Sequence, residues 1–260
     1  MSLSDRLAAA GCVAADEEAE ELQAAAPDGA TLEAMVLRRE AGEPLAWIVG
    51  SLDFSGVRVR VAPGVYVPRL QTVPLARRAA ALLPTGGLAA DLCTGAGAVA
   101  RLIAHLRPDA RVVATDIDAR AVICATSNGV EVHEGDLFAP LPSELRGQVD
   151  VVTAVAPYVP AGDLRFLPRD VVAYEPVTAL DGGADGLDLV RRMVDDAPAW
   201  LRPGGWLLLE LGGDQGSAVR PLLTAAGFED VCMLHDEEGD VRAIEARLTS
   251  AASGQRKGKD

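Results

Sequence analysis

Lysine is almost missing from this chain. Lys257 and Lys259 are the only two, so positive charge is carried almost wholly by arginine. Basic residues number 24 against 38 acids, a formal net charge of −14. Binding along a phosphate backbone needs a positive field; this balance excludes an extended, sequence-independent grip on nucleic acid and leaves room only for a local basic patch. Aromatics supply 4% of the 260 residues while hydrophobic residues supply 49%, so the core must be built mainly from Ala, Val and Leu. No apolar run is long and uncharged enough to cross a membrane. The N-terminus lacks a basic-then-apolar signal pattern, and a soluble, cytoplasmic protein with no membrane partner is expected. Cys12, Cys93, Cys124 and Cys232 lie far apart without a CxxC pair; free thiols are expected, and no metal site. His105, His133 and His235 are equally scattered and read as structural or exposed.

What is present changes character along the chain. Up to about residue 45 the sequence is rich in Ala and Glu, with Leu3, Leu7, Leu22, Leu32, Val36 and Leu37 spaced for short amphipathic helices. Asp28-Gly29 breaks them, and Thr31 is placed to cap the helix that ends near Gly42. Val57, Val59 and Val61 then alternate with Arg58 and Arg60, the pattern of a half-buried strand in a hairpin with the stretch before it. From Leu88 onward strands and helices alternate. Strands are predicted at 88–92, 111–116, 130–133, 149–154 and 206–211, with helices at 98–106, 119–127, 187–200 and 215–226. Apolar strands alternating with helices imply a parallel sheet covered on both faces. Val231 to His235 and Val241 to Arg247, joined by a polar, glycine-containing stretch, predict a closing antiparallel hairpin, an unusual end for a dinucleotide-binding sheet. The division expected is a helical region with a hairpin over 1–72 on the substrate side, an α/β domain over 73–249, and a disordered tail over 250–260.

The chemistry gathers at the strand ends. Asp91-Leu-Cys93-Thr94-Gly95-Ala96-Gly97 follows the first strand of the sheet, where open α/β sheets bind ligands and a helix N-terminus offers free N–H groups. Gly95 to Ala100 also satisfies G-x-G-x-x-A, so this segment alone leaves a nicotinamide or flavin site open. The second strand ends at Asp116, 19 residues after Gly97, where a carboxylate can accept both hydroxyls of a ribose; Ile117 follows it on the same rim. The competing reading is that Asp116 only caps the next helix, a task Asp118 can also perform. After the third strand, Asp136 is placed to accept from an adenine amino group and Phe138 to pack on the ring, unless Gly135-Asp136 is a simple turn. The fourth strand ends in Val155-Ala156-Pro157-Tyr158, a rigid corner facing the same rim.

With these motifs on the page, the chain resembles the HemK-type family of release-factor glutamine methyltransferases, within the class I S-adenosylmethionine-dependent methyltransferases. The likeness is carried by Arg38-Arg-Glu-Ala-Gly-Glu-Pro-Leu-Ala-Trp-Ile-Val-Gly50, Val67-Pro-Arg69, Asp91 to Gly97, Gly135 to Phe138, Tyr174-Glu175-Pro-Val-Thr-Ala-Leu-Asp-Gly-Gly183 and Leu201-Arg-Pro-Gly-Gly205. It runs from about Thr31 to Arg247. The resemblance implies a Rossmann-like fold with a seven-stranded, mostly parallel sheet, a terminal antiparallel hairpin and a small helical N-terminal region that helps hold a protein substrate such as a peptide chain release factor. It implies S-adenosylmethionine bound by Asp91 through Gly97, Asp116, Ile117 and Asp136 through Phe138. The acceptor would meet Arg69, Val155, Ala156, Pro157, Tyr158 and Glu175.

The family motif for the target amide is Asn-Pro-Pro-Tyr; here Pro157 and Tyr158 carry over, and Val155 stands where the Asn would be. After Arg69 the family commonly continues Pro-x-Thr-Glu, whereas Leu70-Gln71-Thr72-Val73 lacks the acid. The part before Thr31 is also short for the family's helical domain. Three readings follow from these residues. One is a methyltransferase that still modifies protein glutamine, with backbone carbonyls near Val155 and Pro157 replacing the Asn. Another is a methyltransferase moved to a small molecule or to an oxygen or carbon acceptor, and the last is a noncatalytic S-adenosylmethionine-binding protein. Glu175 reads first as a cap before Pro176, and secondly as an orienting group or base.

Overall fold

A computed structural model describes residues 1–236 and 239–250; the expected disordered tail lies outside the described residues, apart from Ser250. Four short helices open the chain: α1 (Leu3–Ala9), α2 (Ala15–Ala25), α3 (Gly29–Glu40) and α4 (Leu45–Val49). Leu7, Leu22, Val36 and Ile48 close around one another as a small core of their own. The cap of α3 is Asp28 rather than Thr31: the Asp28 carboxylate accepts from the Thr31 backbone N–H at 2.7 Å. Asp28 precedes the first helical turn, where an acid satisfies free N–H groups and meets the positive end of the helix dipole.

The expected hairpin forms from β1 (Ser51–Phe54) and β2 (Val57–Arg60), with Phe54 opposite Val57. Its apolar face packs against α5 (Val73–Leu82) and α6 (Ala98–Leu106), on the sheet side of the molecule. Then follow β3 (Leu88–Leu92), β4 (Arg111–Asp116), α7 (Ala119–Ser127), β5 (Glu131–Glu134), β6 (Val149–Ala154), α8 (Arg169–Tyr174), α9 (Asp188–Asp196), β7 (Leu201–Glu210), α10 (Gly216–Ala225), β8 (Phe228–His235) and β9 (Val241–Leu248).

The seven-stranded sheet has the order β5-β4-β3-β6-β7-β9-β8. The first five strands run parallel, and β9 is antiparallel to both β7 and β8. Strand order reverses between β3 and β6, so a crevice opens above their carboxyl ends. Side chains alternate between two cores: Val152, Leu207 and Leu209 enter the layer with α9 and α10, while Val151 and Leu208 enter the layer with α5 and α6.

Two predicted elements are corrected. Strand β7 starts at Leu201, not residue 206, because an irregularity between Val149 and Val151 lets β6 pair first with Leu201 and then with Trp206, spanning Pro203-Gly204-Gly205. The helix predicted over 187–200 ends at Asp196 and tightens into a 3-10 turn over Ala197–Ala199, where Pro198 lacks the N–H a longer helix needs.

Candidate active site

A cavity of about 460 Å³ lies above the carboxyl ends of β3, β4, β5 and β6, within the ~300–1,000 Å³ of small-molecule sites. Its floor is the loop after β3. Cys93, Gly95 and Gly97 all have positive φ, and Gly97 immediately precedes α6. A Cβ at Gly97 would sit 2.8 Å from Val130 Cγ2, so packing and backbone conformation both require glycine there. Asp91 is buried beneath the loop, accepting from Thr94 Oγ1 at 2.6 Å and from Thr153 Oγ1 at 2.7 Å on β6. Burial pushes its carboxyl up to about 6, the two hydroxyls acting in the other direction.

Asp116 reaches back to this loop. Its carboxylate accepts from Gly95 N–H at 2.8 Å and Asp118 N–H at 2.9 Å. The helix-cap role falls to Asp118, which accepts from Arg120 N–H at the start of α7. Burial raises the Asp116 pKa against those backbone N–H groups. One oxygen is thus used by each N–H, leaving further lone pairs for a diol.

Asp91, Cys93, Thr94, Gly95, Ala96, Asp116, Ile117, Asp136, Leu137, Val155, Pro157 and Arg69 all border the cavity. Others among the expected residues do not. Phe138 is buried and stacks on Trp200 with ring centroids 5.8 Å apart and planes 10° from parallel; the expected packing of this ring over a nucleobase gives way to core packing in the structure. Gly97 and Ala156 are buried and do not border the cavity. Asp136 forms an ion pair with Arg192 of α9 at 2.5 Å. Burial, then the charges of Asp116 and Asp91, push the Cys93 thiol up, away from the thiolate form a nucleophile needs.

The Val155 to Tyr158 corner is clamped from outside. Gln215 Nε2 donates to Tyr158 O at 2.9 Å, and a Cβ at Gly186 would fall 2.1 Å from that same oxygen. The Tyr158 ring lies behind the cavity wall, where burial pushes its hydroxyl up to about 12. Arg69 pairs with Glu175, whose side chain is 2% exposed. Glu175 also accepts from Val67 N–H at 3.2 Å, and the Arg69 guanidinium lies 5.0 Å from the Tyr66 ring centre. Glu175 is therefore the group that orients Arg69, the second of the two roles read for it. On the far side of this pair a second hollow of about 340 Å³ opens toward Arg39 and Leu45 of the N-terminal helices.

Several contributors had no sequence signal. Asn128 locks the glycine loop to the hairpin, donating to Ala96 O at 2.8 Å and accepting from Arg60 N–H at 2.8 Å. Thr72 and Glu210 form a buried pair at 2.5 Å beside the corner. Among the described residues no cluster of His, Cys, Asp and Glu converges as a metal site, and no helix is long and apolar enough to cross a membrane.

The cavity suits a cationic nucleoside. Asp91, Asp116, Asp118, Asp136 and Asp181 line it against Arg69 and Arg192, an acidic surround for a sulfonium and an ammonium group.

No protein-family model matches the chain. Curated relatives do. The chain is 42% identical over 209 residues to the release factor glutamine methyltransferase of Neisseria gonorrhoeae, covering 78% of this chain and 76% of that protein. It is 36% identical to the enzyme of that name from Geobacter sulfurreducens, covering 82% of this chain and 76% of the relative, and 38% identical to that of Mycolicibacterium smegmatis, covering 84% and 79%. Among solved structures, a methyltransferase from Pyrococcus furiosus shares the fold with a TM-score of 0.52 at 19% identity, covering 85% of this chain and all (100%) of the other. Together, relatives matched over most of their length and a sheet of this order identify the chain as a member of the release factor glutamine methyltransferase family, an S-adenosylmethionine-dependent methyltransferase of class I.

Proposed function

We propose that this chain methylates the side-chain amide nitrogen of a glutamine in a bacterial peptide chain release factor. The observation that carries the reading is the placement of Val155 and Pro157 on the wall of the same cavity as Asp116 and the glycine loop, in a chain whose curated relatives bear that activity in their names. Asp116 would hold the ribose, the loop from Cys93 to Gly97 the amino-acid portion, and Asp136 with Leu137 the base. Bound S-adenosylmethionine supplies an electrophilic methyl group on a sulfonium sulfur.

The protein's part is alignment. An amide nitrogen is a weak nucleophile because its lone pair is delocalised into the carbonyl, so the slot must turn the nitrogen toward the methyl group and exclude competing water. Val155 offers no side-chain hydrogen bond, so in this reading main-chain oxygens of the Val155–Pro157 corner would receive the amide N–H groups. Arg69, fixed by Glu175 and stacked near Tyr66, stands at the wall to meet the glutamine carbonyl or a neighbouring peptide oxygen.

The apolar Val155 side chain is also what favours a second reading, an acceptor other than glutamine. Incubation of the protein with S-adenosylmethionine and a purified bacterial release factor, followed by mass spectrometry of the digested factor, separates the two. A gain of one methyl group on a single glutamine is expected. Tight S-adenosylmethionine binding without transfer overturns the release-factor assignment and leaves the other acceptor.

A further inference from the structure

The strands bring an acid next to the missing asparagine. In the parallel pair β6 and β7, Thr153 lies beside Leu208 and Ala154 beside Leu209. Val155 is the first residue past the end of β6 and Glu210 the last of β7; one more step of that register carries both toward the sheet face of Thr153 and Leu208. Glu210 is 2% exposed. One carboxylate oxygen accepts from Thr72 Oγ1 at 2.5 Å, while the other, Oε1, has no hydrogen-bond partner among the described residues. The Gln71 amide and the Tyr158 hydroxyl act on the same carboxyl and pull its pKa down against the larger effect of burial, which raises it, yet neither closes a hydrogen bond to Oε1.

A buried carboxylate with an empty acceptor site is costly to keep. A purely structural tie to Thr72 would not require it. Thr72 itself borders the cavity, as Val155 does. Its single hydroxyl proton is committed to Glu210, so the lone pairs of Oγ1 are what it can present to a neighbour on the cavity side. We propose that Thr72, oriented by Glu210, is the hydrogen-bond acceptor for one N–H of the incoming glutamine amide, in place of the side chain that Val155 lacks. Thr72 is an acceptor-binding residue and Glu210 a positioning residue; no bond is made or broken by either. The inference rests on the glutamine reading above.

The test is a set of variants, Thr72→Val, Thr72→Ser, Glu210→Gln, Val155→Asn and the double variant Thr72→Val/Val155→Asn, assayed for kcat and KM on a release factor and for S-adenosylmethionine affinity by calorimetry. Loss of the hydroxyl should lower kcat about 10²-fold, the size seen for an orienting hydrogen bond in an active site, with cofactor affinity kept. Thr72→Ser should stay within about threefold of the parent, since it retains the hydroxyl. Val155→Asn should recover most of the loss in the Thr72→Val background and raise kcat less than about fivefold alone, the non-additivity expected of two groups with one task. Should Thr72→Val fail to bind cofactor, Glu210→Gln carries the test: its amide can donate to Oγ1 and take up a lone pair, giving about a tenfold loss that Val155→Asn again recovers. Thr72→Val at parental rate, or an equal gain from Val155→Asn in both backgrounds, overturns the inference while leaving the function standing. A parent protein that binds cofactor and methylates no release factor overturns both.

Discussion

Replacing Asp116 tests the cofactor site where the geometry is most explicit. The carboxylate holds two backbone N–H groups, Gly95 at 2.8 Å and Asp118 at 2.9 Å, and is assigned the ribose diol with its remaining lone pairs. A hydrogen bond to a charged group contributes about 1.5–3 kcal/mol. Losing the diol contacts in Asp116→Ala should therefore weaken S-adenosylmethionine by roughly 10²-fold, and the release of Gly95 adds a looser loop to that loss. Asp116→Asn keeps one oxygen and should weaken binding by about tenfold, since its NH₂ must face one of two N–H donors. Calorimetric titration with S-adenosylmethionine reads the affinities, and a thermal melt without cofactor reads the loop. Expected is a graded series, parent, Asn, Ala, with a small loss of stability of about 1–2 kcal/mol for Ala. An alanine variant that binds within about threefold of the parent refutes the ribose assignment, because no other carboxylate stands at the end of β4 with both oxygens so held.

Other consequences follow from the buried acids. Asp91 holds its proton up to about 6 in the folded chain, against 3.8 as its ordinary value; the native state then binds the proton more tightly than the unfolded state, so this group's contribution makes stability fall as pH rises from about 4 to about 6 and level off above, by on the order of 3 kcal/mol. Urea unfolding of the parent and Asp91→Asn across that window should show the parent losing ground relative to the variant as pH rises; parallel curves would falsify the account. Arg69→Ala strands Glu175, 2% exposed, and should cost about 3–5 kcal/mol, most of it recovered by adding Glu175→Gln; a single variant as stable as the double one would show that the charge is already relieved by water.

Much of the fold is legible because its strands are buried on both faces. The runs at 88–92, 111–116 and 149–154 are mostly apolar, broken only by a few polar residues such as Asp91, Thr115 and Thr153, the pattern of strands covered by helices on each side. The helix α5 is harder to see: its buried face is Leu75, Ala76, Ala79 and Ala80, and alanine marks a buried side only weakly. The start of β7 reads as a loop because Pro203-Gly204-Gly205 carries turn chemistry; the irregular pairing with β6 overrides it. In the N-terminal part Asp28 and Thr31 are both competent caps by residue type, and the helix start decides between them.

The site divides along the same line. Main-chain functions are written locally, so Gly95, Gly97, Asp116 and the proline corner can be found by spacing along one segment. Side-chain direction is not written locally: Phe138 and Asp136 are neighbours, yet one ring turns into the core against Trp200 while the other carboxylate faces Arg192 across the cavity rim. The pairs around the proposed acceptor slot are longer-range still, Arg69 with Glu175, Tyr158 with Gln215, and Thr72 with Glu210. Each joins residues from elements that meet only when the sheet forms. Val155 looks in isolation like the loss of a function. Just past β6, next in register to Glu210 at the end of β7, it looks like the removal of one polar group from a corner that holds another, and the consequence of a substitution at a strand end is set by the residue on the next strand as much as by the one replaced.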